Sequence, residues 1–99
     1  GVTVGYSVVM IAADEAHLLN LSIAAKWQRR GLGRELLRFL LKLARDFSAR
    51  SMYLEVRPSN AAGRALYATA GFAVIALRRD YYPNGQKRED AVVMEMRLE

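Results

Sequence analysis

"KWQRRGLGRELLRFLLKLARDF", Lys26–Phe47, decides the fold. From Leu32 onward apolar residues recur with a 3.6-residue period. Leu32, Leu36, Leu40, Leu43 and Phe47 form a stripe, widened by Leu37, Leu41 and Ala44. Arg34, Glu35, Arg38, Lys42, Arg45 and Asp46 fill the opposite face. The spacing predicts an amphipathic helix over 32–47, laid on a sheet or core. Its start is unusual, because Gly31 and Gly33 sit among Arg29, Arg30 and Arg34. Glycine is a poor helix former, so bare backbone must serve another purpose. The first turn of a helix has unpaired N–H groups and partial positive charge. Glycine lets a ligand approach them, and arginine adds charge-assisted hydrogen bonds. Together these features suit a diphosphate. A merely solvated basic face is the competing reading, and the local sequence weighs the two about evenly. Two other phosphate motifs are set aside. The Gly-Lys-Ser/Thr ending of a Walker loop is absent, and only the first two glycines of Gly-x-Gly-x-x-Gly are present.

Working outward, "TVGYSVVMIA" (3–12) and "HLLNLSIA" (17–24) read as paired strands across the turn "ADE". "SMYLEV" (51–56) is a short apolar run holding one carboxylate, and reads as a buried strand. Pro58 stops it. Ser59 or Asn60 then caps a second helix, about 61–70, which Gly71 ends. "FAVIALRRDYY" and "EDAVVMEMRL" flank "PNGQK", whose Asn-Gly is a hairpin signal. The order strand, strand, helix, strand, helix, strand, strand implies an α/β domain with a mixed sheet. A right-handed crossover makes the strands at 17–24 and 51–56 parallel.

The 99 residues are enough for one domain with a real core. The net charge of +5 is unevenly placed. Residues 24–50 carry eight Lys/Arg against two acids, whereas residues 78–99 balance at five and five. The excess points to an anionic partner near one segment. The chain has no cysteine, which removes disulfides, thiolate metal sites and a cysteine acyl-enzyme. No metal site is expected. No apolar run reaches membrane-spanning length, and a cytoplasmic, reducing setting is expected. The only histidine, His17, reads as structural, Trp27 as packing, and Met10, Met52, Met94 and Met96 as core filler.

"QRRGLGRELL" resembles the Gln/Arg-x-x-Gly-x-Gly/Ala signature of the GNAT superfamily of acetyl-CoA-dependent N-acetyltransferases. "LEVRPSNAAGRALYATAGF" is similar to that superfamily's next block, with its Asn, Leu-Tyr and Gly-Phe in place. "LLNLSI" and "RRDYYPNGQKREDAVVM" extend the match over nearly all of residues 17–96. The resemblance implies a mixed, mostly antiparallel sheet with a splayed parallel pair and flanking helices. It implies a single N-acetyltransferase domain over 1–99, with the strand and helices that open the family domain missing.

The resemblance also implies roles. Gln28, Arg29, Arg30, Gly31, Leu32, Gly33 and Arg34 would hold the diphosphate of acetyl-CoA, the co-substrate. Main-chain groups of Leu21, Ser22 and Ile23 would hold its pantetheine arm and acetyl carbonyl, and Asn60 would touch the arm. Glu55 would be the general base and Tyr67 the general acid. Tyr81 and Tyr82, on the last hairpin, would line the entrance for the acceptor. That acceptor would be a protein N-terminus, the N-terminal alanine of a small-subunit ribosomal protein in particular. Blander readings stand beside these. Glu55 could be exposed or paired with Arg57, Tyr67 could be core packing, Asn60 a helix cap, and the two tyrosines plain hairpin residues. An acceptor that is a small-molecule amine, a basic RNA- or ribosome-binding module, and an inactive fragment that only binds acetyl-CoA are the alternatives. Without its first strand the sheet would leave 3–12 as an open edge, so a dimer or strand swap is expected there. The resemblance implies an enzyme for the parent protein and leaves the activity of the 99 residues alone open.

Overall fold

The computed structural model describes the backbone of residues 5–23 and 31–98, and the side chains of 9–19 and 31–98. The elements are β1 (Gly5–Ala12), β2 (Glu15–Ile23), α1 (Leu32–Asp46), β3 (Ser51–Val56), α2 (Ala61–Ala70), β4 (Ala73–Asn84) and β5 (Lys87–Arg97). The sheet is mixed, mostly antiparallel with one parallel pair, in the order β1-β2-β3-β5-β4. By backbone contacts the chain divides into two compact units, residues 1–52 with 97–99, and residues 53–96.

In the first unit β1 and β2 are antiparallel, with Ala12 opposite Glu15 across a two-residue turn. Ala13 in that turn takes a left-handed φ of 55°. Helix α1 packs on β2. It buries Leu37, Leu40, Leu41 and Ala44. Ala16, Leu18, Ala49, Met52 and Leu98 are buried in the same unit. Each large apolar side chain so buried is worth about 1.5–3 kcal/mol. The expected stripe is therefore rotated. Phe47 lies 63% exposed, one residue beyond the helix, where the chain has turned away from the core. Arg45 ties the helix's last turn to the end of the chain by donating Nε–H to the Leu98 carbonyl at 3.1 Å.

The second unit packs Leu54 and Val56 of β3, Tyr67 of α2, Phe72, and Ala91, Val92 and Met94 of β5. Strand β3 alternates, with Met52, Leu54 and Val56 buried and Ser51, Tyr53 and Glu55 half-buried. Asn60 caps α2, accepting the Gly63 N–H on its side-chain oxygen at 2.9 Å. In the hairpin Asn84 pairs with Lys87, so Gly85 and Gln86 form the turn rather than Asn84 and Gly85. Gly85 supplies the left-handed φ of 63° that the turn requires. Among the described residues no helix is long and apolar enough to cross a membrane.

Both helices end in the same hydrogen-bond pattern. The Phe72 and Gly71 N–H groups bond to the carbonyls of Tyr67 and Ala68, at 3.0 and 3.1 Å. The Ala49 and Ser48 N–H groups bond to those of Ala44 and Arg45, both at 2.9 Å. Such an ending needs a left-handed residue, usually glycine. Gly71 meets that demand at φ 117°, whereas Ser48 is forced to φ 67°. Ser48→Gly is expected to stabilise the protein by about 0.5–1 kcal/mol, and Gly71→Ala to destabilise it by about 1 kcal/mol or more. Denaturant midpoints of both variants check this pair, and a null or opposite shift for Ser48→Gly counts against the account.

Candidate functional site

Glu55 reaches the site because β3 alternates. Its side chain is only 9% exposed, and Arg78 of β4 donates Nη1–H to its Oε1 at 3.5 Å. The blander reading of Glu55 paired it with Arg57; the structure pairs it with Arg78. Arg57 turns instead to Glu89 Oε2, at 3.2 Å, and to the carbonyl of Pro83, at 3.0 Å. A long guanidinium can leave a near neighbour for a partner across the sheet when that partner offers a fixed acceptor pair.

The two arginines each cover a tyrosine. Arg57 lies 4.4 Å from the centre of the Tyr82 ring, and Arg78 lies 4.5 Å from that of Tyr81. The two rings meet edge to face at 4.8 Å and 90°. Consecutive residues of a flat strand point to opposite faces. Here the pairing slips between Arg78, opposite Ala91, and Tyr82, opposite Glu89. Four steps along β4 match two along β5, so β4 carries a bulge. Asp80 sits in it at φ 54°. Its N–H donates to Asp90 Oδ1 at 2.9 Å, and Arg88 donates to the carbonyls of Asp80 and Tyr81, at 2.6 and 3.0 Å. The bulge brings both phenols into one cluster.

Tyr67 is buried on α2, with Phe72 edge-on at 5.8 Å. Burial pushes its hydroxyl above the usual phenol range, so it stays protonated at neutral pH. The Tyr82 hydroxyl is also pushed up, by burial first and then by the negative charge of Glu55. Tyr81 and Tyr67 add to this rise, and Arg57 opposes it. Glu55, Tyr67 and Tyr81 therefore each lie close enough to Tyr82 to act on it electrostatically.

Glu89 completes the cluster. Its Oε1 accepts the Ser59 N–H at 2.9 Å while Oε2 takes Arg57. Hydrogen bonds from Ser59, and then Arg57, hold its carboxyl below the usual range. Sequence reading named neither Glu89, Ser59 nor Arg78 as part of a site. Arg57 was considered only as a partner of Glu55. The one signal was the evenly balanced charge of the last hairpin.

The start of α1 belongs to the other unit. Gly31 is the N-cap of α1, left-handed at φ 77°, and supplies no capping side chain. A Cβ built there would meet nothing within 4 Å among the described residues. Leu32, Gly33 and an exposed Arg34 form the first turn. Bare amides beside arginine fit a diphosphate. Gln28, Arg29 and Arg30, like Trp27, lie outside the described residues. Leu21, Ser22 and Ile23 are in β2, with backbones opposite Ser7, Tyr6 and Gly5. Among the described residues no group of three His, Asp or Glu could hold a metal.

The described residues thus combine a mixed sheet, two helices, a glycine at the helix start after the second strand and a carboxylate in the third strand. Residues 1–72 match the Acetyltransferase (GNAT) family. The chain belongs to that family. It is 42% identical, over 91 residues, to the ribosomal protein bS18-alanine N-acetyltransferase of Salmonella typhimurium, covering 92% of this chain and 62% of that protein. The crystal structure of the Escherichia coli ribosomal-protein-S18-alanine N-acetyltransferase superposes with a TM-score of 0.88 at 39% identity, covering 96% of this chain and 61% of that one. A putative acetyltransferase from Salmonella typhimurium, solved with acetyl-CoA, superposes with a TM-score of 0.89 at 25% identity over 100% of this chain and 60% of its own. The chain thus spans about three fifths of the length of these relatives.

Glu89 links this geometry to acid stability. A carboxyl whose folded pKa is lowered adds stability that is present above its unfolded value and lost as pH falls through the folded one. Wild-type stability is therefore expected to drop as pH falls below about 4.5, the ordinary value for this carboxyl. In Glu89→Gln that part of the drop should vanish. Urea midpoints between pH 6 and 3 measure it, and parallel curves for the two proteins would refute the assignment.

Proposed function

We propose that the protein transfers the acetyl group of acetyl-CoA to the N-terminal α-amine of a protein, by direct attack in a ternary complex. The acceptor is the N-terminal alanine of a small-subunit ribosomal protein, and the reaction belongs in the cytoplasm. Residues 1–99 belong to one N-acetyltransferase domain and span about three fifths of the relatives' length. The observation that carries this reading is a nearly buried carboxylate, Glu55, set beside two arginine-stacked tyrosines. The relatives named for this reaction, at 39–42% identity, support the acceptor.

An α-amine has a pKa of about 7.7–8.0, so much of it is protonated and inert at neutral pH. Glu55 takes that proton, directly or through a water. Arg78 donates to Glu55 Oε1 and so orients the carboxylate. Acetyl-CoA supplies the activated thioester. Gln28, Arg29, Arg30, Gly31, Leu32, Gly33 and Arg34 bind its diphosphate, while the backbone of Leu21, Ser22 and Ile23 and the side chain of Asn60 steer its arm. Tyr67, kept protonated by burial, gives its proton to the departing thiolate. Tyr81 and Tyr82 line the acceptor entrance, where flat, hydrogen-bonding rings suit a peptide backbone.

An assay with acetyl-CoA and a peptide beginning in alanine tests the reading. Glu55→Gln should lower kcat by about 10²-fold or more near neutral pH, with the Kd for acetyl-CoA unchanged. Equal loss of both would make Glu55 structural. Tyr67→Phe should slow the appearance of free CoA, and unchanged turnover would remove it from the acid role. β1 stands at one end of the strand order. Light scattering is expected to show self-association through its open edge, and a monomer would refute that part.

A further inference from the structure

We propose that the Arg57–Glu89 pair is a latch that positions Tyr82, and through it the peptide acceptor, without touching the reacting atoms. This rests on the acceptor role proposed for Tyr82.

Three bonds and one stacking contact converge on this pair. Arg57 Nη1 is shared between Glu89 Oε2, at 3.2 Å, and the Pro83 carbonyl, at 3.0 Å. The same guanidinium covers the Tyr82 ring at 4.4 Å. Glu89, directly opposite Tyr82 in the hairpin, spends its other oxygen on the Ser59 N–H at 2.9 Å. The carboxylate thus joins β5 to the β3–α2 turn, and the guanidinium joins the end of β3 to the tip of β4. Tyr82 is held from two sides, by a planar cation over its ring and by the pinned carbonyl of the next residue. Glu89 is only 14% exposed, so water competes weakly for it. Arginine is required. A lysine could keep the charge pairing but could not stack flat on the ring while donating to two acceptors. Arg78 makes the matching stack on Tyr81 but also binds Glu55, so its loss would disturb the base itself. The contacts of Arg57 described above go to Glu89, Pro83 and Tyr82, which makes this pair the better probe of positioning.

The test is a kinetic double-mutant cycle on the protein with acetyl-CoA and an alanine-first peptide. Glu89→Gln and Arg57→Lys should each raise the peptide KM by about tenfold, with kcat within about threefold and acetyl-CoA KM unchanged. In a Tyr82→Ala background, Glu89→Gln should have no further effect on peptide KM. Additive losses, normal kinetics for Arg57→Lys, or a joint fall of kcat and affinity for both substrates would overturn the latch. If the wild type leaves the peptide unmodified, the functional reading fails, and the latch is judged by amide hydrogen exchange alone. The Ser59 amide should then exchange several-fold faster in Glu89→Gln while the Gly71 amide is unchanged, because a neutral acceptor holds an N–H less tightly. Equal protection of Ser59 in both proteins would refute the latch on its own.

Discussion

One carboxylate organises the second unit. Glu89 accepts from the backbone at Ser59 and from the side chain of Arg57, and Arg57 in turn holds Pro83 and the face of Tyr82. Neither bond lies within a helix or a strand ladder. They fasten the ends of separate elements, where backbone groups would otherwise face water. A carboxylate suits this work because it accepts from several directions at once and is strengthened by an ionised donor. The hairpin, the β3–α2 turn and the end of β3 therefore act as one body around the tyrosines.

The electrostatics around that body divide the labour between two arginines. Arg78 neutralises Glu55, and Arg57 neutralises Glu89. Each carboxylate is mostly shielded from solvent, and an unpaired charge in such a position would be costly. The same guanidinium planes that balance charge also lie over phenol rings. Burial raises the Tyr67 hydroxyl above the usual phenol range, so it keeps its proton. Different surroundings within one short stretch of sheet and helix thus pair one carboxylate with a guanidinium and keep one phenol buried and protonated.

Local signals were legible in the sequence because their causes are local. Asn60 capping α2, Gly71 ending it, and the apolar period of α1 each depend on residues within one or two turns. The span of β3 was read to the residue because an alternating apolar run bounded by a proline has few other outcomes. What escaped depends on contacts between distant segments. Arg78 and Glu55 are 23 residues apart, and Glu89 and Ser59 are 30 apart. The register slip before Tyr82 and the shift of the turn to Gly85 and Gln86 follow from strand pairing. No composition signal reports either. The segment before Gly31 is the strongest motif in the chain. Gly31 has a left-handed backbone, whereas Gln28, Arg29 and Arg30 lie outside the described residues.

The bulge at Asp80 has a consequence for how this hairpin can vary. Because the two strands are out of step there, the side of the sheet on which each phenol emerges is set by a residue count. Drop one residue between Arg78 and Tyr81, and the register of both rings against the strand that precedes them would change by one step, even though both tyrosines survived. Evolution can therefore repaint this segment more freely than it can resize it. A substitution changes one contact, whereas a single-codon deletion inverts the geometry of both aromatic groups together.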